Sequence, residues 1–261
     1  MILSLLTDFG LSDYYVAAVK GVILSAAPAT TIVDISHEVA PGDIAEAGFL
    51  LAAAAPSFPP GTLHLAVVDP GVGSERRLLL VETAEARFLA PDNGLLTPWL
   101  DRGTARAIER PDLYRASAGA TFHGRDRLAP VAGALLAGEE PARLGSKITD
   151  AVRLKSTPAR RDAEVIEGSV IHVDRFGNLV SNIPAQWLSA HARPQRIDFE
   201  LAGKRSARWV THYAELAEAE VGALSGSLGT LELALRGRSL ADQWQTRPGA
   251  AVRIEKRSQA L

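Results

Sequence analysis

The sequence predicts an α/β protein: an amino-terminal α/β domain with a largely parallel sheet, followed by a smaller, β-barrel-like carboxy-terminal domain. Up to about residue 150, strand-like and helix-like segments alternate, which is typical of a parallel sheet covered by helices. Further along, short strand patterns are separated by turns that contain Gly or Pro. The charged, proline-interrupted stretch 155–162 predicts a linker. We therefore expect domains at residues 1–155 and 163–261.

The elements of the first domain follow from local patterns. Aliphatic runs bounded by turn-forming residues predict strands at Ile2–Leu6, Thr31–Ile35, Leu63–Val68, Leu78–Thr83 and Phe88–Ala90. Helical patterns cover Asp13–Ala27, Asp43–Ala55 and Arg127–Ala137. Pro28, Pro56 and Gly138 follow these three segments, and such residues end helices. Asp13 fits a helix cap as well as it fits a substrate contact.

The second domain is predicted to consist mainly of strands. They are expected at Glu164–Val173, Leu179–Ile183, Arg196–Leu201, Thr230–Leu235 and Ala251–Lys256. Short strands joined by frequent turns favour a barrel-like sheet over a layered α/β arrangement.

Composition excludes several classes of protein. The 261 residues suffice for two domains, and 47% hydrophobic with 22% charged residues is ordinary for a soluble protein. A net charge of -2 argues against nucleic acid or an anionic membrane as the main partner. The chain has no cysteine, which excludes disulfides and thiolate metal sites. No signal-like start and no run of about 18 apolar residues is present, so a cytoplasmic protein is expected.

The segment around Asp69 has the pattern of a site. An aliphatic strand ends at this carboxylate, and the carboxyl ends of strands are where open α/β sheets bind ligands. Pro70, Gly71 and Gly73 turn the chain sharply. Either Arg76 or Arg77, seven and eight residues after the Asp, can then return over the same strand end.

Two further segments repeat this design. Asp8 follows the first strand and precedes a glycine, and His123 lies beside Gly124 ahead of an alanine-rich helical segment. A lone Asp or His of this kind is more often structural than catalytic. Three polar clusters, each beside glycine at an element boundary, favour a shared cleft.

These motifs together resemble the S-adenosylmethionine (SAM) hydrolases, also called SAM hydroxide adenosyltransferases, which are related to fluorinases and chlorinases. The resemblance covers nearly the whole chain and rests on the order and spacing of Thr7–Gly10, Asp34–His37, Val68–Gly73, Ala90–Gly94, Thr121–Asp126 and Asp174–Asn178. It implies an enzyme that hydrolyses SAM to adenosine and methionine without a metal or other cofactor. It also implies the same division into an α/β domain and a β-barrel-like domain.

The resemblance assigns activation of the attacking water to Asp69, Arg76 and His123. SAM is a sulfonium whose methionine leaves as a neutral thioether, so the reaction needs no acid for the leaving group. An arginine can stabilise negative charge on the water oxygen. Either His123 or Asp69 can accept the proton, and Arg77 competes with Arg76 for the role of the arginine.

The resemblance also implies substrate-binding residues on both domains. Asp8 matches the residue that binds the ribose diol, and Phe176 and Asn178 match the adenine contacts. Asp174 matches the residue that binds the methionine ammonium, and Ser227 the one that binds the methionine carboxylate. The chain departs from the family pattern around the last of these, because Gly226 replaces the usual Asn and Leu228 stands where a basic residue can occur.

Three other functions are weighed against hydrolysis. A halogenase, in which a halide instead of water attacks C5′ of SAM, is disfavoured. Halogenases resembling this chain carry Tyr at the position of Asp69, and a carboxylate there would repel a halide. A SAM-binding module without activity would not need the Asp69, Arg76 and His123 cluster. A metal-dependent hydrolase would show ligand spacing such as His-Glu-x-x-His, which the chain lacks.

The expected substrate contacts are divided between two domains, so one pocket can form within a chain or between neighbouring chains. The resemblance implies a homotrimer whose sites lie at contacts between adjacent subunits. Head-to-tail contacts of this kind close into a ring.

Overall fold

A computed structural model describes residues 1–116, 119–162, 164–189, 196–201 and 203–255. It divides into two compact units, Met1–Lys155 and Ser156–Leu261. The described helices include none whose length and hydropathy would suit a membrane span. The cytoplasmic location stays a prediction from the sequence.

The first unit is built on a six-stranded sheet. Its strands are β1 (Ile2–Thr7), β2 (Thr31–Ser36), β3 (Leu63–Val67), β4 (Leu78–Glu82), β5 (Arg87–Pro91) and β6 (Thr104–Ala107), in the spatial order β2-β1-β3-β5-β4-β6. The four strands β2, β1, β3 and β5 run parallel. β4 is antiparallel to both its neighbours, because a tight turn closed by Thr83 N–H on the Ala86 carbonyl joins it to β5.

Helices cover both faces of this sheet, which requires side chains to alternate along the strands. The principal helices are α1 (Tyr15–Ala26), α2 (Ile44–Ala54) and α3 (Ala129–Leu136). Leu63 and Leu65 of β3 join the core that α1 and α3 bury, whereas Ala66 joins the core under α2. α1 and α3 approach closely at Gly133, where a Cβ would lie 2.7 Å from Ala26 Cβ.

The second unit is a closed barrel of seven strands. They are β8 (Val165–Val173), β9 (Leu179–Pro184), β10 (Arg196–Glu200), β11 (Lys204–Trp209), β12 (Val221–Ser225), β13 (Thr230–Leu235) and β14 (Ala251–Glu255). Their order is β14-β10-β11-β12-β13-β9-β8, and the barrel closes where β14 pairs with β8. A two-residue strand β7 (Arg160–Arg161) pairs antiparallel with β8, and the short helices α4 (Gln186–Ser189) and α5 (Leu240–Trp244) complete the unit.

The predicted fold class is confirmed, and the differences are local. α1 begins at Tyr15, and Tyr14 caps it without a side-chain hydrogen bond, so the cap proposed for Asp13 is wrong. The helix expected from Arg127 begins as a π-helical turn over Gly124–Leu128. The end of the predicted strand at Lys256 lies outside the described residues.

Four observed strands were not predicted: β6, β7, β11 and β12. β7 lies inside the stretch expected to be a linker, where its two arginines pair with β8. β11 carries four polar residues among six, so its local pattern lacks the apolar alternation that predicts a strand. It is a strand because it pairs with β10 and β12 in the closed barrel, and such pairing cannot be read from the local sequence.

Candidate active site

Asp8 and Asp69 emerge at the same edge of the first sheet. They follow β1 and β3, which are parallel neighbours with Thr7 paired to Val67. Parallel strands end at a common edge, so both carboxylates lie at the carboxyl edge, where ligands bind in open α/β sheets.

The turn after Asp69 brings Arg76 back over this edge. Gly73 has a φ of +85°, which side chains disfavour. At Gly71, a Cβ would lie 3.4 Å from Arg76 Cδ and 3.7 Å from Asp69 Oδ1. The positive φ of Gly73 turns the chain so that the arginine returns to the carboxylate.

Asp69, Arg76 and His123 form one connected cluster. Arg76 Nε donates to Asp69 Oδ1 at 2.6 Å, and Arg76 Nη2 donates to Asp69 Oδ2. The same Nη2 lies 3.0 Å from His123 Nδ1. The side chains of Asp69 and Arg76 are 6% and 9% exposed, and His123 is 3% exposed. A two-point arginine–carboxylate pair shielded from water in this way is strong and holds one geometry.

The contact with Arg76 assigns the tautomer of His123. A guanidinium only donates hydrogen bonds, so Nδ1 is the acceptor and the neutral ring carries its proton on Nε2. That Nε2 and Arg76 Nη1 are both buried and have no hydrogen-bond partner within the described chain. Buried donors without partners are costly in a purely structural cluster. They are suited to an oxygen of a bound water or substrate.

Close packing at Gly124 determines where His123 lies. A Cβ on Gly124 would be 3.0 Å from Val67 Cγ1 and 3.3 Å from Phe9 Cζ. The π-helical turn Gly124–Leu128 therefore packs directly on the ends of β1 and β3. This contact brings a residue 47 positions along the chain to Arg76.

Gly124→Ala should strain this contact. Overpacking of this kind costs about 1–3 kcal/mol of unfolding free energy, and displacement of His123 should lower kcat as well. Gly21→Ala is the matched control, because Gly21 lies exposed in α1 with nothing within 4 Å of its Cβ position. In urea unfolding, the free energy of unfolding of that control should rise by about 0.5–1 kcal/mol. Equal stability changes in the two variants would contradict the packing argument.

Burial, together with the charges of Arg127 and Arg76, holds the pKa of His123 below its ordinary value, against the opposing effect of Asp69. Protonation would place a proton on Nδ1 facing the Arg76 donor, so the active form is the neutral ring. Because the pKa is lowered, this form persists at pH values where a free histidine is already protonated. We expect the acidic limb of the kcat/KM profile to lie below about pH 6.5.

The pH experiment needs circular dichroism at each point, because His64 is also buried neutral and its pKa falls to about 4 through desolvation. Loss of activity that precedes loss of structure reports the site. An acidic limb at or above pH 6.5 in the folded protein would contradict the assignment.

Arg77 is engaged elsewhere. Its Nε donates to Asp92 Oδ2 at 2.9 Å, and its Nη1 donates to Asp150 Oδ1 at 2.9 Å. Asp92 Oδ1 in turn accepts from Val152 N–H at 2.8 Å. Arg77 thus ties the start of β4 to the end of the first unit, and Arg76 alone of the two arginines contacts Asp69 and His123.

An aromatic group that the sequence reasoning did not identify flanks Asp8 and His123. Phe9 lies 5.7 Å from Phe122 and 6.0 Å from Tyr15 between ring centroids, and Tyr15 lies 5.3 Å from Phe122. The signal was available, because two of these rings directly adjoin the predicted site residues in the chain. The group provides an apolar wall beside polar functional groups, as ligand pockets commonly do.

In the second unit, Asp174 organises a tight turn. Its Oδ1 accepts from the N–H groups of Phe176 and Asn178 at 2.9 and 2.8 Å, and its Oδ2 accepts from Asn178 Nδ2 at 2.8 Å. Asn178 is buried, whereas Phe176 is 76% exposed. The structure brings these three predicted residues together and leaves the aromatic ring of Phe176 largely exposed.

Ser227 lies exposed in the turn between β12 and β13, and this turn adjoins a buried carboxylate that the sequence reasoning missed. Glu232 accepts a hydrogen bond from the Tyr213 hydroxyl. Burial, then the charge of Asp174, raises the pKa of Glu232 against the effect of that hydrogen bond. A Cβ at Gly226 would lie 2.6 Å from Glu232 Oε2, so the glycine leaves room for the acid. The available signal was an acidic residue inside the apolar strand β13.

The described residues contain no group of three or more His, Cys, Asp or Glu side chains arranged to hold a metal ion. In the first unit, Arg76 occupies the position between Asp69 and His123 that a cation would need. Its positive charge opposes a second cation there.

Comparisons with known proteins decide the family. The sequence profile of the SAM hydroxide adenosyltransferase N-terminal domain matches residues 3–145, and that of its C-terminal domain matches residues 168–253. The chain belongs to the SAM hydroxide adenosyltransferase family. It is 35% identical to the (R)-S-adenosyl-L-methionine hydrolase of Salinispora tropica over 97% of each chain. For the protein of that name from Thermus thermophilus, identity is 35% over 95% of this chain and 97% of the relative.

The chain is also similar to fluorinases. The fluorinase of Nocardia brasiliensis is 28% identical over 97% of this chain and 96% of its own. Among solved structures, an uncharacterized conserved protein from Thermotoga maritima superposes with a TM-score of 0.91 at 32% identity, covering 97% of this chain and 100% of its own. A conserved hypothetical protein from Thermus thermophilus gives 0.78 at 33% identity, covering 97% and 98%.

Proposed function

We propose that this protein hydrolyses SAM to adenosine and L-methionine by direct attack of water on C5′. The observation that carries the proposal is the buried cluster of Asp69, Arg76 and His123, with its two unpartnered donors, at the sheet edge that also bears Asp8. Family membership and relatives named (R)-S-adenosyl-L-methionine hydrolase support the same reaction.

Each residue of the cluster has a proposed task. Arg76 Nη1 and His123 Nε2 donate to the water oxygen and stabilise the negative charge that it acquires as it attacks. Asp69 is the proposed proton acceptor, because Arg76 Nη1 and His123 Nε2 act as donors and His123 Nδ1 already accepts from Arg76. Methionine leaves as a neutral thioether, so no acid is required on its side of the carbon.

The remaining assignments concern substrate binding. Asp8 is proposed to accept hydrogen bonds from both ribose hydroxyls, which a single carboxylate can do. In the second unit, the exposed ring of Phe176 and the amide of Asn178 are proposed to bind adenine. Asp174 and Ser227 are proposed to bind the ammonium and carboxylate of the methionine.

The deciding experiment incubates the purified protein with SAM in oxygen-18 water. We expect adenosine and methionine in equal amounts, with the label in the adenosine 5′-hydroxyl. Excess EDTA should leave the rate unchanged, since the proposed chemistry uses no metal. Absence of adenosine, or adenosine without label, would contradict direct attack by water. Formation of 5′-chloro-5′-deoxyadenosine in added chloride would favour the halogenase alternative.

We further propose a homotrimer in which the Asp69 group of one subunit and the Asn178 group of its neighbour act on one substrate. The proposal rests on the family resemblance and on the ring closure that head-to-tail contacts permit.

Mixing experiments test this assembly. Asp69→Ala and Asn178→Ala subunits should each be nearly inactive alone, and co-assembly should restore partial activity because some sites combine two intact halves. Light scattering should give three times the chain mass of 27.7 kDa. A monomer at assay concentration, or no recovery in demonstrated mixed trimers, would place each site within one chain.

A further inference from the structure

A second polar network, outside the proposed water site, runs through the Asp34–His37 segment of the chain. Lys20 Nζ donates to Asp34 Oδ2 at 2.6 Å, and Asp34 Oδ1 lies 3.2 Å from His37 Nε2. On the other side of the ring, His37 Nδ1 lies 2.8 Å from Thr7 Oγ1. The network therefore leads from a surface lysine to the residue immediately before Asp8.

The hydrogen bond between Thr7 and His37 is the buried link of this network. Asp34 Oδ1 lies near His37 Nε2, but this contact lacks hydrogen-bond geometry, and the buried Nε2 has no hydrogen-bond partner within the described chain. Thr7 Oγ1 and His37 Nδ1 share one hydrogen bond, and the same oxygen accepts the N–H of Phe9 at 3.2 Å.

The same histidine holds the other side of the Asp8 loop. Its carbonyl accepts the N–H of Gly10 at 2.8 Å, and Gly10 has a φ of +66°. Asp8 thus lies between two attachments to His37, one through the Thr7 hydroxyl and one through Gly10. Asp8 Oδ2 itself accepts the N–H of Gly42 at 2.8 Å, which leaves Oδ1 and further lone pairs available to a ligand.

A carboxylate, a histidine and a hydroxyl in this order also resemble a nucleophilic triad. Burial argues against that role, because Thr7 is 0% exposed and His37 is 4% exposed. The Thr7 oxygen is further engaged with the backbone of Phe9. A hydroxyl without access to substrate cannot attack it, so the network is suited to positioning.

We propose that His37, through Thr7 and Gly10, is a positioning residue that orients the Asp8 carboxylate toward the ribose diol. The inference rests on the proposed function, because it takes Asp8 as the ribose-binding group. Loosening the loop should weaken binding of every ligand with a ribose diol. It should leave the water-activating cluster of Asp69, Arg76 and His123 intact.

The test compares His37→Gln with His64→Gln as a matched control, because each histidine contacts a hydroxyl of β1. His64 is also buried, and its Nδ1 lies 2.6 Å from the Ser4 hydroxyl of β1, but this pair is far along the strand from the Asp8 loop. His64→Gln should therefore lower Tm without changing the Kd for adenosine measured by calorimetry. For His37→Gln we expect adenosine Kd and SAM KM to rise about tenfold or more, with kcat at saturation within about threefold of wild type.

Variants of Thr7 separate positioning from general destabilisation. Thr7→Val removes the hydroxyl at nearly constant volume and should reproduce the loss of adenosine affinity expected for His37→Gln. Thr7→Ser keeps the hydroxyl and should bind adenosine with wild-type affinity. If His37→Gln does not fold, Asp34→Asn at the partly exposed end of the network is the alternative variant, and it should also raise the adenosine Kd.

The outcomes are distinct. Wild-type affinity in folded His37→Gln and Thr7→Val, or an equal loss in His64→Gln, overturns the positioning role while leaving hydrolysis of SAM in place. A wild-type protein that neither binds adenosine nor hydrolyses SAM overturns the proposed function and this inference together. A rise in adenosine Kd confined to the His37 and Thr7 variants supports the inference.

Discussion

His123→Ala should lower kcat for SAM hydrolysis by about 10²–10⁴. The variant loses the Nε2 donor proposed to bind the attacking oxygen, and it leaves Arg76 Nη2 without one of its partners. Adenosine affinity should change by less than about threefold, because His123 is not assigned to ribose or adenine. Single-turnover rates and calorimetric binding of adenosine measure the two effects separately.

Asp8→Ala is the informative counterpart to His123→Ala. It removes the proposed ribose contact, so it should mainly raise the Kd for adenosine and the KM for SAM. Asp69→Asn should behave like His123→Ala, since it removes the proposed proton acceptor at constant size. A His123→Ala protein with normal kcat would remove His123 from the mechanism, and wild-type adenosine affinity in Asp8→Ala would remove the ribose assignment.

Arg76→Lys should mainly lower kcat and Arg77→Lys should mainly lower Tm, although the two residues are adjacent. Arg76 forms a two-point pair with Asp69 and also contacts His123, geometry that an ammonium group cannot reproduce. We expect Arg76→Lys to reduce kcat by about 10² or more, the scale of losing one oxyanion donor. Arg77→Lys should leave kcat within a few-fold, because Arg77 contacts Asp92 and Asp150 instead.

Thermal unfolding provides the second readout for this pair. Arg77→Lys should lower Tm, since Asp92 is buried and loses its paired guanidinium. A large loss of kcat in Arg77→Lys with kcat preserved in Arg76→Lys would reverse the two assignments.

The sequence alone determined the fold class and the strand ends at which the candidate site residues Asp8 and Asp69 lie. Strand and helix periods are local properties, so alternating segments predicted the α/β unit, and dense turns predicted the barrel. The same local reading placed Asp8 and Asp69 at strand ends, which parallel topology brings to one edge. It missed β11 for a local reason, because polar residues mask that strand, and of the two interpretations it left open for Asp13 the structure excludes the cap of α1.

Only the tertiary structure decided which side chains face one another. Two adjacent arginines look equivalent in the sequence, and the turn through Gly71 and Gly73 directs Arg76 to Asp69. Packing of Gly124 against Val67 brings His123 to the same cluster from a distant segment. Periodicity reports the burial of an element but not its partners. Contacts between residues far apart in the chain depend on close packing, which the fold as a whole determines.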